Sequence, residues 1–171
     1  MDFLELAKER YSVRDYIDRP IEKEKMDRIL EAGMVAPTGA NRQPQRIYVI
    51  KNEEKLAKLR GMCRSAFNAP VVLVFTYNKN EQWKNRYDEN VCAGQQDVSI
   101  VATQMMLEAW ELGIGSCWVN GYDPAEIRAF LELPEDEELV LLMDLGYPGP
   151  GAVPSPLHAA CRPLEEVVKE L

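Results

Sequence analysis

At 171 residues with 46% hydrophobic content, the chain suits one domain with a core of ordinary size. Its net charge of −8 argues against nucleic acid or an anionic membrane as the main partner. No uncharged apolar run is long enough for a membrane span and the N-terminus lacks a signal-peptide pattern, so a cytoplasmic protein is expected. Cys63, Cys92, Cys117 and Cys161 form no CxxC pair, which with the single His158 makes a metal site unexpected and free thiols the simplest reading.

Asp2 is placed to cap a short helix ending at Glu9, with Phe3, Leu6 and Ala7 at helical spacing. Arg10, Ser12 and Arg14 then alternate along an extended segment, so their side chains share one side. Two guanidiniums flanking a hydroxyl suit a phosphomonoester; pairing with this chain's many carboxylates is the competing reading. A second helix is expected over 22–35, with Met26, Ile29, Leu30 and Gly33 on its inner face. Pro37 stops it, and the small residues Thr38, Gly39 and Ala40 let the backbone lie against something flat. Asn41 and Gln43 add carboxamides that match the carbonyls and N–H of an isoalloxazine edge; a helix-ending loop without ligand is the alternative.

A strand follows over 46–50, then a helix over 52–64 capped by Asn52, then an apolar β-branched run over 69–77 that reads as a strand covered on both faces. The polar segment 78–89, with Trp83 and Tyr87, reads as a loop or mobile segment, a candidate lid. The strongest helical pattern is 97–112, apolar over most of its circumference, so burial on more than one side and a homodimer are expected. Met105 and Met106 are assigned to packing. Residues 113–120 read as a strand begun by two glycines, Asp123 and Pro124 open a short helix, and 138–146 reads as a fourth strand. Beyond Tyr147, Pro148, Gly149, Pro150, Gly151, Pro154 and Pro156 forbid regular structure; Val167, Val168 and Leu171 favour docking of this tail on another surface.

Nucleophilic catalysis finds little support, since there is no GxSxG and the one histidine lies in the tail. A dinucleotide fingerprint is also unsupported: Gly113-Ile114-Gly115 enters a strand instead of leaving one.

Five segments, in order and separation, resemble the nitroreductase family of FMN-dependent flavoproteins. They are Arg10-Tyr11-Ser12-Val13-Arg14, Ala36-Pro37-Thr38-Gly39-Ala40-Asn41-Arg42-Gln43-Pro44, Gly113 to Gly121, Leu145-Gly146-Tyr147-Pro148, and Arg162-Pro163-Leu164-Glu165-Glu166-Val167-Val168. The resemblance covers nearly the whole chain. It implies an α+β fold in one domain, 1–171, with a central, mostly antiparallel sheet flanked by helices. It also implies a homodimer with an exchanged C-terminal arm from about 148 to 171.

By the same resemblance, Arg10, Arg14 and Arg162 would bind the FMN phosphate, with Tyr11 and Ser12 beside them. Pro37, Thr38, Gly39, Asn41 and Gln43 would contact the cofactor, at least partly across the dimer interface. Cys117, Trp118, Asn120 and Gly121 would lie along the ring, a backbone N–H near Asn120 or Gly121 facing flavin N5; core packing is the competing reading for Trp118. The family often has a lysine two residues before its last arginine, where this chain has Ala160. The implied activity is NADH- or NADPH-dependent reduction of a small acceptor, a nitroaromatic or quinone, in two half-reactions, with no catalytic side chain. Reductive dehalogenation, flavin fragmentation, a non-enzymatic flavin carrier and a cofactor-free dimeric scaffold are the alternatives.

Overall fold

The computed structural model describes residues 2–171. Helix α1 (Phe3–Glu9) opens on a capping box: the Asp2 carboxylate accepts from the N–H groups of Leu4 and Glu5, and the Glu5 side chain accepts from the Asp2 N–H. Helix α2 (Lys23–Met34) turns Ile29 and Gly33 into the core, as its apolar spacing predicts. Strand β1 (Gln45–Ile50) leads to α3 (Glu53–Met62), capped by the Asn52 side chain, and then to β2 (Val71–Asn78). Helix α4 (Gly94–Glu111), β3 (Gly115–Val119), α5 (Pro124–Leu131), β4 (Glu137–Gly146) and the short α6 (Leu164–Val167) complete the chain.

The four strands form one fully antiparallel sheet in the order β1-β2-β4-β3. The central strands β2 and β4 bear the continuous apolar runs because both of their faces are covered. On one face, Leu73, Phe75, Leu141 and Met143 pack against Ile29 of α2 and Val98, Val101 and Met105 of α4. On the other, Val72, Val74, Leu142 and Cys117 pack against Leu56 and Leu59 of α3, Ile127 of α5, and Val13 and Tyr16 of the N-terminal segment. Gly33 sets the α2–α4 approach, since a Cβ there would sit 2.6 Å from Met105 Sδ.

Three local readings shift. Helix α4 begins a turn earlier than its apolar pattern: the Asp97 N–H donates to Ala93 O, so Gly94-Gln95-Gln96 form a polar first turn. Gly113 does not open β3; at φ 75° it terminates α4, and the Ile114 N–H donates back to Ala109 O. The beginning of the tail lies against its own chain. It runs back along residues 8–16 of its own chain, with Gly149 N–H donating to Asp15 O, Gly151 N–H to Asp15 Oδ2, and Tyr11 Oη to Ala152 O. His158 Nε2 lies 2.9 Å from Lys8 O. Residues 159–171 are exposed.

One apolar surface stays open. Phe3 and Leu6 of α1, Val35, and Ile100 and Leu107 of α4 line a groove of about 830 Å³. Phe3 is 70% exposed, Val35 69% and Ile100 of α4 42%, so among the described residues this side of α4 is left open. Among the described residues, no helix is long and apolar enough to cross a membrane.

Candidate functional site

The extended segment after α1 is fastened to the edge of the sheet. Ser12 bridges Ser116 in parallel, and the Val13 N–H donates to Ser116 O at 2.8 Å. Gly115 makes room, because a Cβ there would lie 2.6 Å from Val13 Cγ2. Val13 is fully buried in the core, while Arg14 beside it is exposed.

The guanidiniums of Arg10 and Arg14 both act on the Cys117 thiol beneath this segment. Burial, and then the Asp144 charge, push that thiol up to about 11, while Arg14, a Ser12 hydrogen bond and Arg10 pull it back. Among the described residues, neither arginine has a carboxylate within 4.0 Å. Arg14 Nη1 reaches only Ser12 O, at 3.3 Å. In a chain of net charge −8, Arg10 and Arg14 thus stand, among the described residues, without the carboxylate partners that the surface-pairing reading gives them.

Arg162 comes from the far end of the chain. It lies on the exposed tail, its side chain is 80% accessible, and its nearest acidic group is Glu166 at 3.9 Å. Tyr11 packs its ring edge-on against Trp110 at 5.1 Å while its hydroxyl holds the tail at Ala152.

The loop from Pro37 to Gln43 is a turn of 3-10 helix over Gly39–Asn41. Ala40, Asn41 and Gln43 all have positive φ, near 50°, conformations that side-chain-bearing residues rarely adopt. The Gln43 N–H donates to Thr38 Oγ1, and Gln43 Nε2 to Asn41 Oδ1. Gly39 is pressed against the next layer, with a Cβ there 2.9 Å from Trp83 Cβ and 3.2 Å from Ala93 Cβ. Its N–H donates to Asp97 Oδ1 at 2.8 Å. Pro37, Ala40, Asn41 and Gln43 are exposed outward. Asp97 is the residue that pattern reading missed here; its signal was an acidic residue in the first turn of a helix that carries no charge from Val98 to Leu107.

On β3, successive side chains part. Cys117 is 3% exposed and turns into the second core, whereas Trp118 packs against the first. With the Asn120 carboxamide oriented to satisfy both of its ends, its oxygen accepts from Trp118 Nε1 at 3.3 Å and its nitrogen donates to Val119 O. Gly121 is exposed, and Cys63 Sγ donates to its carbonyl at 3.6 Å.

The register gives the separation of the two halves. Ser12 sits at the start of β3, in the row Ser116–Leu145–Val71 that runs toward the end of β1. The Pro37–Gln43 loop sits at the start of β1, on the opposite edge and at the opposite end. Three inter-strand spacings and several residues of rise put these corners roughly 20 Å apart.

What the arrangement fits is a phosphorylated, flat, hydrogen-bonding ligand. The partnerless guanidiniums beside Ser12 match a phosphate, and the outward carboxamides beside a close-lying backbone match the edge of an isoalloxazine.

Known proteins resemble this chain over most of its length. The family model described as the nitroreductase family matches residues 7–68 and 63–147. A protein of Archaeoglobus fulgidus named as an NADH dehydrogenase/NAD(P)H nitroreductase is 33% identical over 156 residues, covering 85% of this chain and 84% of its own. A nitroreductase family protein of Clostridium difficile, solved by crystallography, superposes with a TM-score of 0.91 at 38% identity, over 99% of this chain and 98% of that one. A nitroreductase of Desulfovibrio desulfuricans, solved in complex with FMN, superposes with a TM-score of 0.81 at 26% identity, over 98% of this chain and 95% of that one. On the extent of the family match and the whole-chain likeness, this chain belongs to the nitroreductase family.

Proposed function

We propose that the chain works as a homodimer that binds FMN and oxidises NADH or NADPH, delivering the reducing equivalents to a small acceptor such as a nitroaromatic or quinone. The observation that carries the reading is the pair of guanidiniums, Arg10 and Arg14, left without carboxylates around Ser12. Family membership and the FMN seen in the Desulfovibrio desulfuricans relative support the choice of cofactor. The open groove along α1 and α4, with Phe3, Val35 and Ile100 exposed, supports a second copy as its cover.

Arg10 and Arg14 bind the phosphate through charge-assisted hydrogen bonds, and the Ser12 hydroxyl donates to it. The Thr38–Gln43 loop of the second copy presents its carboxamides to the polar edge of the ring. The backbone at Asn120 and Gly121 lies at the end of β3, and an N–H there faces the ring where negative charge develops. Arg162 reaches the phosphate from the tail, the place where Ala160 withholds a second cation. The bound flavin itself supplies the hydride chemistry. The protein holds, orients and polarises, and no side chain here is assigned to proton transfer.

Anaerobic mixing of the FMN-loaded protein with NADH and with NADPH tests the activity. Bleaching of the visible flavin band within seconds, followed by recovery on adding a quinone, is the expected result. A flavin that stays oxidised under both donors overturns the oxidoreductase reading in favour of a carrier.

A further inference from the structure

We propose that Asp97 is a positioning residue, which holds the Pro37–Gln43 loop in its ligand-facing shape by accepting the Gly39 N–H. The functional half of this rests on the FMN reading above; the loop-holding half stands on the structure of the chain alone.

The loop cannot hold its shape unaided. Ala40, Asn41 and Gln43 all lie at positive φ, a backbone region that persists only where the surroundings fix it. The loop's own hydrogen bonds close on themselves: Asn41 N–H to Thr38 O, Arg42 N–H to Gly39 O, and Gln43 N–H to Thr38 Oγ1. Among the described residues, the Gly39–Asp97 bond at 2.8 Å is the one hydrogen bond that ties residues 38–43 to another element.

That element is the firmest available. Just below Asp97, α4 inserts Val98, Val101, Ala102 and Met105 into the core, each with no exposure. Asp97 stands in the first turn of this 18-residue helix, where the backbone dipole favours a carboxylate. Gly39 meets it from outside, seated so close to Trp83 and Ala93 that only a residue without Cβ fits unstrained.

The second carboxylate oxygen makes the assignment specific. Asp97 is 3% exposed, and its Oδ2 has no hydrogen-bond partner among the described residues. A buried carboxylate with one oxygen unsatisfied is a costly way to fill space, and an apolar side chain would fill it better. The distinguishing act of Asp97 is the bond to Gly39.

Amide hydrogen exchange on the FMN-free wild type, with FMN titrations of Asp97→Ala and Asp97→Asn, tests this. The Gly39 amide is expected to exchange at least about tenfold more slowly than its neighbour Ala40. In Asp97→Ala that protection disappears while the Met105 amide in α4 keeps its own, and the FMN Kd rises at least about tenfold. Asp97→Asn, whose side-chain oxygen still accepts, retains the protection and an FMN Kd within about threefold of wild type.

A wild-type Gly39 amide that exchanges as fast as Ala40 overturns the proposal without any variant, and it decides the matter if Asp97→Ala does not fold. Unchanged Gly39 protection and FMN affinity in Asp97→Ala overturn it too. Gly39 protection that depends on Asp97, in a protein that does not bind FMN, supports the loop-holding role and overturns the cofactor reading instead.

Discussion

Replacing Arg10 and Arg14 together with alanine is expected to weaken FMN binding at least about a hundredfold, while riboflavin binding stays within about threefold of wild type. The asymmetry follows from where the two side chains stand. They lie around Ser12 at the β3 edge, far from the loop that would meet the ring. Their charges reach the Cys117 thiol together, and among the described residues no carboxylate lies within 4.0 Å of either. A charged hydrogen bond contributes about 1.5–3 kcal/mol, and two of them to one phosphate give the hundredfold or more. Riboflavin lacks the phosphate, so its affinity does not draw on them. Fluorescence titration of both ligands against both proteins reads the ratio directly. A double variant that still prefers FMN over riboflavin as strongly as wild type would place the phosphate elsewhere.

The second large effect concerns Asp144, in the middle of β4. Its neighbours in the register are Val72 of β2 and Cys117 of β3, and it is 1% exposed with neither oxygen hydrogen-bonded among the described residues. Burial drives its pKa from the ordinary 3.8 to about 8, against a partial pull downward from Arg60. The folded chain thus keeps a proton that the unfolded chain releases above about pH 4. The contribution of Asp144 to stability is therefore greatest below that point, falls as pH rises, and levels off above about pH 8.

Asp144→Asn removes this linkage. Between pH 5 and pH 8 the stability difference between variant and wild type is expected to move by about 4 kcal/mol in favour of the variant, three pH units at about 1.4 kcal/mol each. Urea unfolding at the two pH values measures it. Parallel pH dependence in the two proteins would mean that the carboxyl is solvated or paired after all.

The frame of the molecule was legible because its strongest patterns are local. The inner faces of α2 and α3, the caps at Asp2, Asn52 and Asp123, and the doubly covered strands β2 and β4 follow from spacing and side-chain chemistry alone. Gly113 and the first turn of α4 were misplaced because a helix terminator and a polar first turn carry no periodicity.

The tail was harder to read. Its path along residues 8–16 is set by the Asp15 carboxylate and backbone and by the Tyr11 hydroxyl, more than a hundred residues away in sequence. Of the site, the residue types were readable and their placement was not. Nothing in the spacing sends Cys117 inward while Trp118 faces the other core, or sets the loop and the arginines at opposite corners of the sheet. Asp97 and Asp144 were invisible for the same reason, since an aspartate in an apolar segment does not announce whether its partner is a backbone N–H or nothing at all.

The most direct test of the cofactor assignment is the visible absorbance spectrum of the protein after incubation with FMN and gel filtration. A flavin spectrum that travels with the protein, at about one FMN per chain, is the predicted result. A colourless protein peak, with all of the FMN eluting separately, would contradict it.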